Sequence, residues 1–365
     1  MRVLQLLAGT GFGGAERMGC TIHELACRYG CQSRIDAPPL PDVVAGVLTA
    51  SAITLQHEAG ERGLYGWAQA ARERRRVFRP DVVHVHLATP RLISAAWWIA
   101  GRTPLALTFQ LLPAAARWPN DALLRVPSAW VLAHLARRRR CTFIAVAEAD
   151  QRSLRRRFPH AEVALTTNLP APPPRAAGPA QQLSYPAGCL RLLSVGRLVE
   201  QKGFDLMLEQ LAQPALRTLA WHWIIVGEGA ARADLARRCR TLGLQARVSF
   251  LGATPSHGLY EQADLVLCPS RHEAAPLVPR EAILAGVPVV LSDIAPHREL
   301  VGATARVLPE RCDAWGPLLK ALFTEPATRD ALRVEQAPAR VDRSAELWYA
   351  CSNVYTQLLQ PRRHA

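Results

Sequence analysis

Residues 169–188, LPAPPPRAAGPAQQLSYPAG, hold six prolines and few side chains able to pack, so they divide the sequence in two. On both sides short apolar runs alternate with stretches at helical spacing. Before the break the runs are 3–8, Asp81–Leu87, Thr103–Gln110, Thr142–Ala147 and Val163–Thr167. After it they are Leu190–Val195, Trp221–Val226, Val248–Gly252, the run ending at Pro269, and Val287–Val290. Such alternation predicts two doubly wound, Rossmann-like α/β domains, residues 1–169 and 189–343, joined by a linker at 170–188. A chain of 365 residues is comfortable for two domains. Residues 31–60 are broken by prolines and give no pattern.

Charge is unevenly placed. Residues 1–190 carry 23 Arg against 12 acids, a net of +11, while 191–365 carry a net of +3. The first half is therefore expected to meet something anionic, a membrane leaflet or nucleic acid. No RNP, KH or helix-turn-helix pattern accompanies the charge, so nucleic acid ranks lowest. No run of about 18 apolar residues occurs, and no transmembrane helix is expected. The N-terminus lacks a basic leader and a small-residue cleavage site, and does not read as a signal peptide. Nine cysteines, without CxxC, suit a reduced cytosolic protein.

Residues 268–292 are the densest in chemistry. Glu273 and Glu281 have seven residues between them, including Pro276, Leu277 and Pro279, and Gly286 then precedes the last apolar run. The pattern predicts a loop, a helix of about two turns starting near Pro279 with Glu281 in its first turn, a tight turn and a strand. Free amides at a helix start suit an anion, and carboxylates suit sugar hydroxyls, which together describe a sugar-nucleotide pocket. The 3–8 run leads into Gly9, Gly11, Gly13 and Gly14, a strand–glycine turn–helix suited to phosphate. With Asp36 it also satisfies a nicotinamide-binding fingerprint, the basis of a rival reading as an oxidoreductase. His84 and His86 fall on one face of a strand, as buried or cleft-lining residues or as a metal pair lacking a third ligand. Residues 128–140 read as a helix carrying Trp130 and ending in four arginines.

The Glu273/Glu281 segment resembles the E-x7-E of retaining family-4 glycosyltransferases with the GT-B fold. The resemblance extends to GGAER at Gly13–Arg17, D-x-x-H-x-H at Asp81–His86, and G-R-x-x-x-x-K-G through Gly196, Arg197, Lys202 and Gly203. It continues through V-G-x-G at Val226–Gly229 and Glu299, and is weakest over 31–75 and 111–160. It implies two domains facing a cleft, with the helix at 344–365 crossing back onto the first. It implies donor contacts from Gly13, Gly14, Pro276 and Leu277, a diphosphate held by Arg197 and Lys202, the transferred sugar at Glu273 and the ribose at Glu281. His86 and Gln110 would lie on the acceptor side. Two departures stand out: Ala274 where the family has Gly, and Gln110 where it has His. Glutamine can orient a hydroxyl but cannot carry a proton.

The expected activity is transfer of a hexose-type sugar from a nucleoside-diphosphate sugar to a saccharide or lipid-linked saccharide, with retention. Lipopolysaccharide or surface-polysaccharide assembly is the setting the family implies. No D-x-D sequence occurs, so Arg197, Lys202 and helix amides are expected to neutralise the diphosphate without a metal or other cofactor. The expected location is cytoplasmic, peripheral at the inner face of an anionic membrane. The second rival is a degenerate GT-B protein that binds without turnover.

Overall fold

The computed structural model describes residues 1–7, 14–38, 63–86, 90–109, 128–138, 140–166, 180–273, 276–302, 305–309 and 311–360. The chain forms two compact units, Met1–Leu169 with Arg343–Ala365, and Pro170–Asp342.

The first unit holds a six-stranded sheet of β1 (Arg2–Leu6), β2 (Gln32–Asp36), β3 (Val82–His86), β4 (Leu105–Phe109), β5 (Cys141–Ala145) and β6 (Glu162–Leu165). The order is β2-β1-β3-β4-β5-β6, with every pairing parallel. Helices α1 (Gly14–Arg28), α2 (Gly63–Phe78), α3 (Pro90–Ala100), α4 (Ser128–Ala136) and α5 (Glu148–Arg157) join the strands. A parallel sheet is covered on both faces, which is why VVHVH, LALTF and CTFIA are buried at every position. Each fully buried Val, Leu or Phe there contributes about 1.5–3 kcal/mol.

Two expectations need correction in this unit. Strand β2 lies in the stretch that gave no pattern: it is an edge strand, QSRID, in which only Ile35 and Asp36 are buried, so it has no apolar run to read. Arg137, Arg138 and Arg140 follow α4 rather than forming its last turn, because the helix ends at Ala136.

The second unit holds β7 (Leu190–Val195), β8 (Trp221–Val226), β9 (Val248–Gly252), β10 (Leu265–Cys268) and β11 (Val289–Leu291), all parallel, in the order β11-β10-β7-β8-β9. Its helices are α6 (Phe204–Leu211), α7 (Pro214–Arg217), α8 (Arg232–Thr241), α9 (Leu277–Leu284), α10 (Ala295–Val301), α11 (Gly316–Thr324) and α12 (Pro326–Gln336). The final helix α13 (Ser344–Leu359) returns to the first unit, where Leu347, Cys351, Val354, Tyr355 and Leu358 are buried. No helix among the described residues is long and apolar enough to cross a membrane.

Helix α9 also differs from its expected start. It is capped by Pro276 and begins at Leu277, so Pro279 is its third residue and Glu281 lies in the second turn. Pro276 sits in extended backbone, φ −69° and ψ 123°, and the helix starts two residues before Pro279.

Candidate functional site

Strand order locates where each sheet can take a ligand. In the second sheet the chain runs from β7 to β8 and β9 on one side, then crosses to β10 and β11 on the other. The loops leaving β7 and β10 therefore diverge at a topological switch point, where open α/β sheets hold ligands. The loop after β7 carries Gly196, Arg197, Lys202 and Gly203; the loop after β10 carries Ser270 and Glu273.

Backbone contact brings the two loops together. Gly203 has φ +65°, and a Cβ placed there would lie 2.0 Å from the Pro269 carbonyl oxygen. Only glycine permits that approach. Arg271 N–H donates to the Gln201 carbonyl at 2.8 Å, and the Gln201 side chain donates to the His272 carbonyl at 3.0 Å. The Arg271 guanidinium grips Asp205 through two bonds of 2.7 Å and reaches the Glu200 carbonyl at 2.8 Å. A second glycine, Gly227 at φ +145°, supports the floor: its Cβ would lie 1.9 Å from the Gly196 carbonyl oxygen.

The chemistry sits on this scaffold. Lys202 Nζ lies 2.6 Å from Glu273 Oε1, and Ser270 Oγ donates to the same oxygen at 2.7 Å. The pair is mostly buried, with side chains 19% and 10% exposed. Arg197 is exposed, and its guanidinium has no partner among the described residues. Glu281 is buried, and its Oε2 accepts a 2.6 Å bond from the Tyr260 hydroxyl. Pro276 is buried and Leu277 half-buried at the start of α9, whose first amides carry no side-chain cap. Cys268, at the end of β10, is pushed up to about 12 by burial and stays a thiol.

Sequence reasoning passed over His297, in the first turn of α10. It is fully buried, its Nδ1 lies 2.9 Å from the Ser292 carbonyl, and its Nε2 has no partner among the described residues. Burial lowers its pKa, so the ring is neutral near pH 7. The available signal was a histidine just beyond the carboxyl end of a predicted strand.

In the first sheet the switch point falls between β1 and β3. His86 Nε2 lies 2.7 Å from Gln5 Oε1 across those strands, and His84 contacts the Tyr355 hydroxyl and Thr108 Oγ1, each at 2.7 Å. The two rings share a face, 4.0 Å apart. Both nitrogens of His84 are engaged, which leaves no pair of imidazoles open to a metal. Burial pushes His86 down to about 3, and burial together with His86 pushes His84 well below the ordinary range. Both rings are neutral and only 1% exposed, so His86 presents no open face to an acceptor in this state. Gly14 opens α1 and is exposed. Gly13 and Gln110 lie outside the described residues, as do Gly9, Gly11 and Ala274.

Asp36, the acid of the nicotinamide fingerprint, is closed. Its oxygens accept from Trp67 Nε1 at 2.7 Å and from Arg74 Nε and Nη2 at 2.9 and 3.0 Å. A carboxylate that ties β2 to α2 in this way has no capacity left for a ribose. Among the described residues no three His, Cys, Asp or Glu side chains gather as a metal-ligand set.

The family described as "Glycosyltransferase Family 4" matches residues 12–168, and "Glycosyl transferases group 1" matches residues 181–333. An uncharacterized glycosyltransferase of Methanocaldococcus jannaschii is 35% identical over 133 residues, 34% of each chain. The lipopolysaccharide core biosynthesis mannosyltransferase LpsB of Rhizobium meliloti is 34% identical over 112 residues, 29% of this chain and 32% of that one. These alignments span about a third of the relatives' own length. The Anabaena protein HepE, solved in complex with UDP-glucose, superposes with a TM-score of 0.72 at 17% identity, covering 98% of this chain and 99% of that one.

Proposed function

The chain belongs to the family-4 glycosyltransferases with the GT-B fold, and from that membership we propose that it transfers a sugar from a nucleoside-diphosphate sugar with retention at the anomeric carbon. The observation that carries this reading is the Lys202–Glu273 pair at the second sheet's switch point, with Arg197 on the same loop as Lys202 and without a partner among the described residues. A diphosphate needs cationic donors, and a hexose needs a carboxylate that accepts its hydroxyls. Both lie on one pair of touching loops.

As the sugar bond breaks, negative charge builds on the leaving diphosphate, where Lys202 and Arg197 stabilise it. The diphosphate oxygen released on that face takes the proton of the incoming hydroxyl, so retention requires no enzymatic base. Gln110 then orients the acceptor rather than deprotonating it, and Glu281 binds the ribose. A hexose donor and a saccharide or lipid-linked saccharide acceptor, in lipopolysaccharide or surface-polysaccharide assembly, fit the relatives' names. Arg197, Lys202 and the first amides of α9 supply the countercharge, and activity is expected to persist in excess chelator.

The test is calorimetry with UDP, GDP and their sugar conjugates, on the parent and on Lys202→Ala and Glu281→Ala. Both variants are expected to bind more weakly. Parent-like affinity in both would place the donor elsewhere, and an inverted anomer in the product would overturn retention.

The proposed setting is the inner face of an anionic membrane. Support comes from aromatic rings on α2, α3 and α4: Tyr65 stacks on Trp98 at 6.0 Å, Arg72 lies 4.8 Å over Trp98, and His134 contacts Trp97 and Trp130. Tyr65 is 76% and Trp130 68% exposed. Amphipathic rings beside arginines match a headgroup layer, at about 1 kcal/mol per basic residue near an anionic surface. Binding to anionic vesicles should weaken with salt, and equal binding to neutral vesicles would refute it.

A further inference from the structure

Glu273 is held from behind by a chain of hydrogen bonds that ends on His297. Ser270 Oγ donates to Glu273 Oε1 at 2.7 Å, and the Ser270 carbonyl accepts from Ser292 Oγ at 2.5 Å. Ser292 in turn meets the imidazole: His297 Nδ1 lies 2.9 Å from its carbonyl and 3.3 Å from its hydroxyl oxygen. A carbonyl can only accept, so Nδ1 carries the ring proton and Nε2 is the bare nitrogen. Because Ser292 Oγ spends its proton on Ser270, its lone pairs are what Nδ1–H meets. The direction of each bond is fixed by its acceptor, the Ser292 carbonyl, the Ser270 carbonyl and the Glu273 carboxylate.

The chain crosses from α10 and the end of β11 to the loop after β10, two segments otherwise joined there by the 3.3 Å bond from Ser292 N to the Cys268 carbonyl. Ser270, Ser292 and His297 are all buried, so water cannot substitute for a missing member. The bare Nε2 is buried without a partner among the described residues. A polar atom left in that condition is costly, and an apolar side chain would serve packing alone better. The ring is therefore retained for its Nδ1–H.

We infer that His297 is a positioning residue that holds Glu273 toward the transferred sugar through Ser292 and Ser270. This rests on the proposed donor site, and it predicts an effect confined to the sugar. The nucleotide part of the donor is held by Lys202, Arg197 and Glu281, none of which the chain touches except through Glu273 itself.

The probes are UDP, UDP-glucose, GDP and GDP-mannose, titrated by calorimetry into the full chain. His297→Leu should leave the affinity for the nucleoside diphosphate within about twofold while the sugar conjugate weakens three- to tenfold. His297→Asn should recover most of the loss, since its amide N–H can replace Nδ1–H while Nε2 is absent. If His297→Leu does not fold, Ser292→Ala cuts the same chain with the ring in place and should give the same selective loss. Added to Ser270→Ala, either variant should cost little more. Equal weakening of diphosphate and conjugate, unchanged conjugate affinity, or Asn no better than Leu would overturn the inference. Lys202→Ala separates the two readings. If it binds the diphosphate as the parent does, the donor site itself is misplaced; if it loses the diphosphate while His297→Leu is parent-like, only the role of His297 fails.

Discussion

At the first sheet's switch point β1 and β3 set Gln5 against His86, and His84 against Thr108 and Tyr355, all neutral and nearly all sealed from solvent. At the second, β7 and β10 set an ammonium against a carboxylate with part of each still exposed. Two switch points, in parallel sheets of different strand order, thus hold electrostatically opposite groups. Complete burial forces polar groups to stay uncharged, whereas partial exposure lets a charged pair persist. A diphosphate asks for charge that can be redirected when it arrives.

The largest expected effect tests that division directly. Lys202→Ala should weaken nucleoside-diphosphate binding about ten- to a hundredfold, since a charge-assisted bond to phosphate contributes roughly 1.5–3 kcal/mol. Turnover should fall as well, because the charge on the leaving group grows in the transition state. His86→Asn should leave that affinity unchanged. If both variants bind nucleotide equally well, the two switch points do not divide the work.

Much of the fold was legible in the sequence, and the reasons differ by segment. The loops carrying Lys202 and Glu273 could be placed because glycine and proline fix them locally, and motifs report local backbone. The central strands β7 and β8 ran as expected because their apolar runs are buried inside the parallel sheet. Edge strand β2 was silent for the converse reason. Tyr355 could not be paired with His84 from sequence, since 271 positions separate them and helical spacing says which face is buried but not against what. The start of α9 was misjudged because Pro276 and Pro279 offer two starts that only the loop geometry separates. His297 carried only its place just beyond a predicted strand, because its contacts run to Ser292, and through Ser292 to Ser270.

Next in size is the pairing that ties α13 to the first sheet. Tyr355→Phe removes the hydroxyl 2.7 Å from His84 Nδ1 and leaves a buried nitrogen unpaired. The expected loss is about 1–3 kcal/mol of stability, read by urea unfolding with nucleotide affinity unchanged. A variant as stable as the parent would mean the contact contributes nothing.

Acid should distinguish the sites more gently. His86 in the folded chain takes a proton only near pH 3, while the unfolded chain does so near 6.5. Between those values the unfolded state binds more protons, so stability is full above 6.5 and falls as the pH drops toward 3. Each such histidine contributes about 1.4 kcal/mol per pH unit. His86→Asn should flatten the slope measured between pH 6 and pH 4.5 by up to that amount, and an unchanged slope would show that His86 is not the group concerned.

The smallest expected effect is the most discriminating, because its two readouts move in opposite directions. In the unliganded chain Glu273 and an incoming diphosphate compete for the same ammonium, 2.6 Å from Oε1. Glu273→Gln keeps the shape of the side chain and a carbonyl oxygen to accept from Ser270, but removes the negative charge. Lys202 is then released from its ion pair, whose attraction is largely offset by the desolvation of two mostly buried charges. Nucleoside diphosphate without sugar should consequently bind about two- to fivefold more tightly than to the parent. Sugar transfer should fall, since the neutral amide accepts hydroxyls less strongly than a carboxylate. Binding and turnover that decline together would mean Glu273 supports the phosphate site rather than competing for Lys202. Binding and turnover that both hold would remove Glu273 from the site. Only the divergence makes the charged pair a resting state that the donor must open.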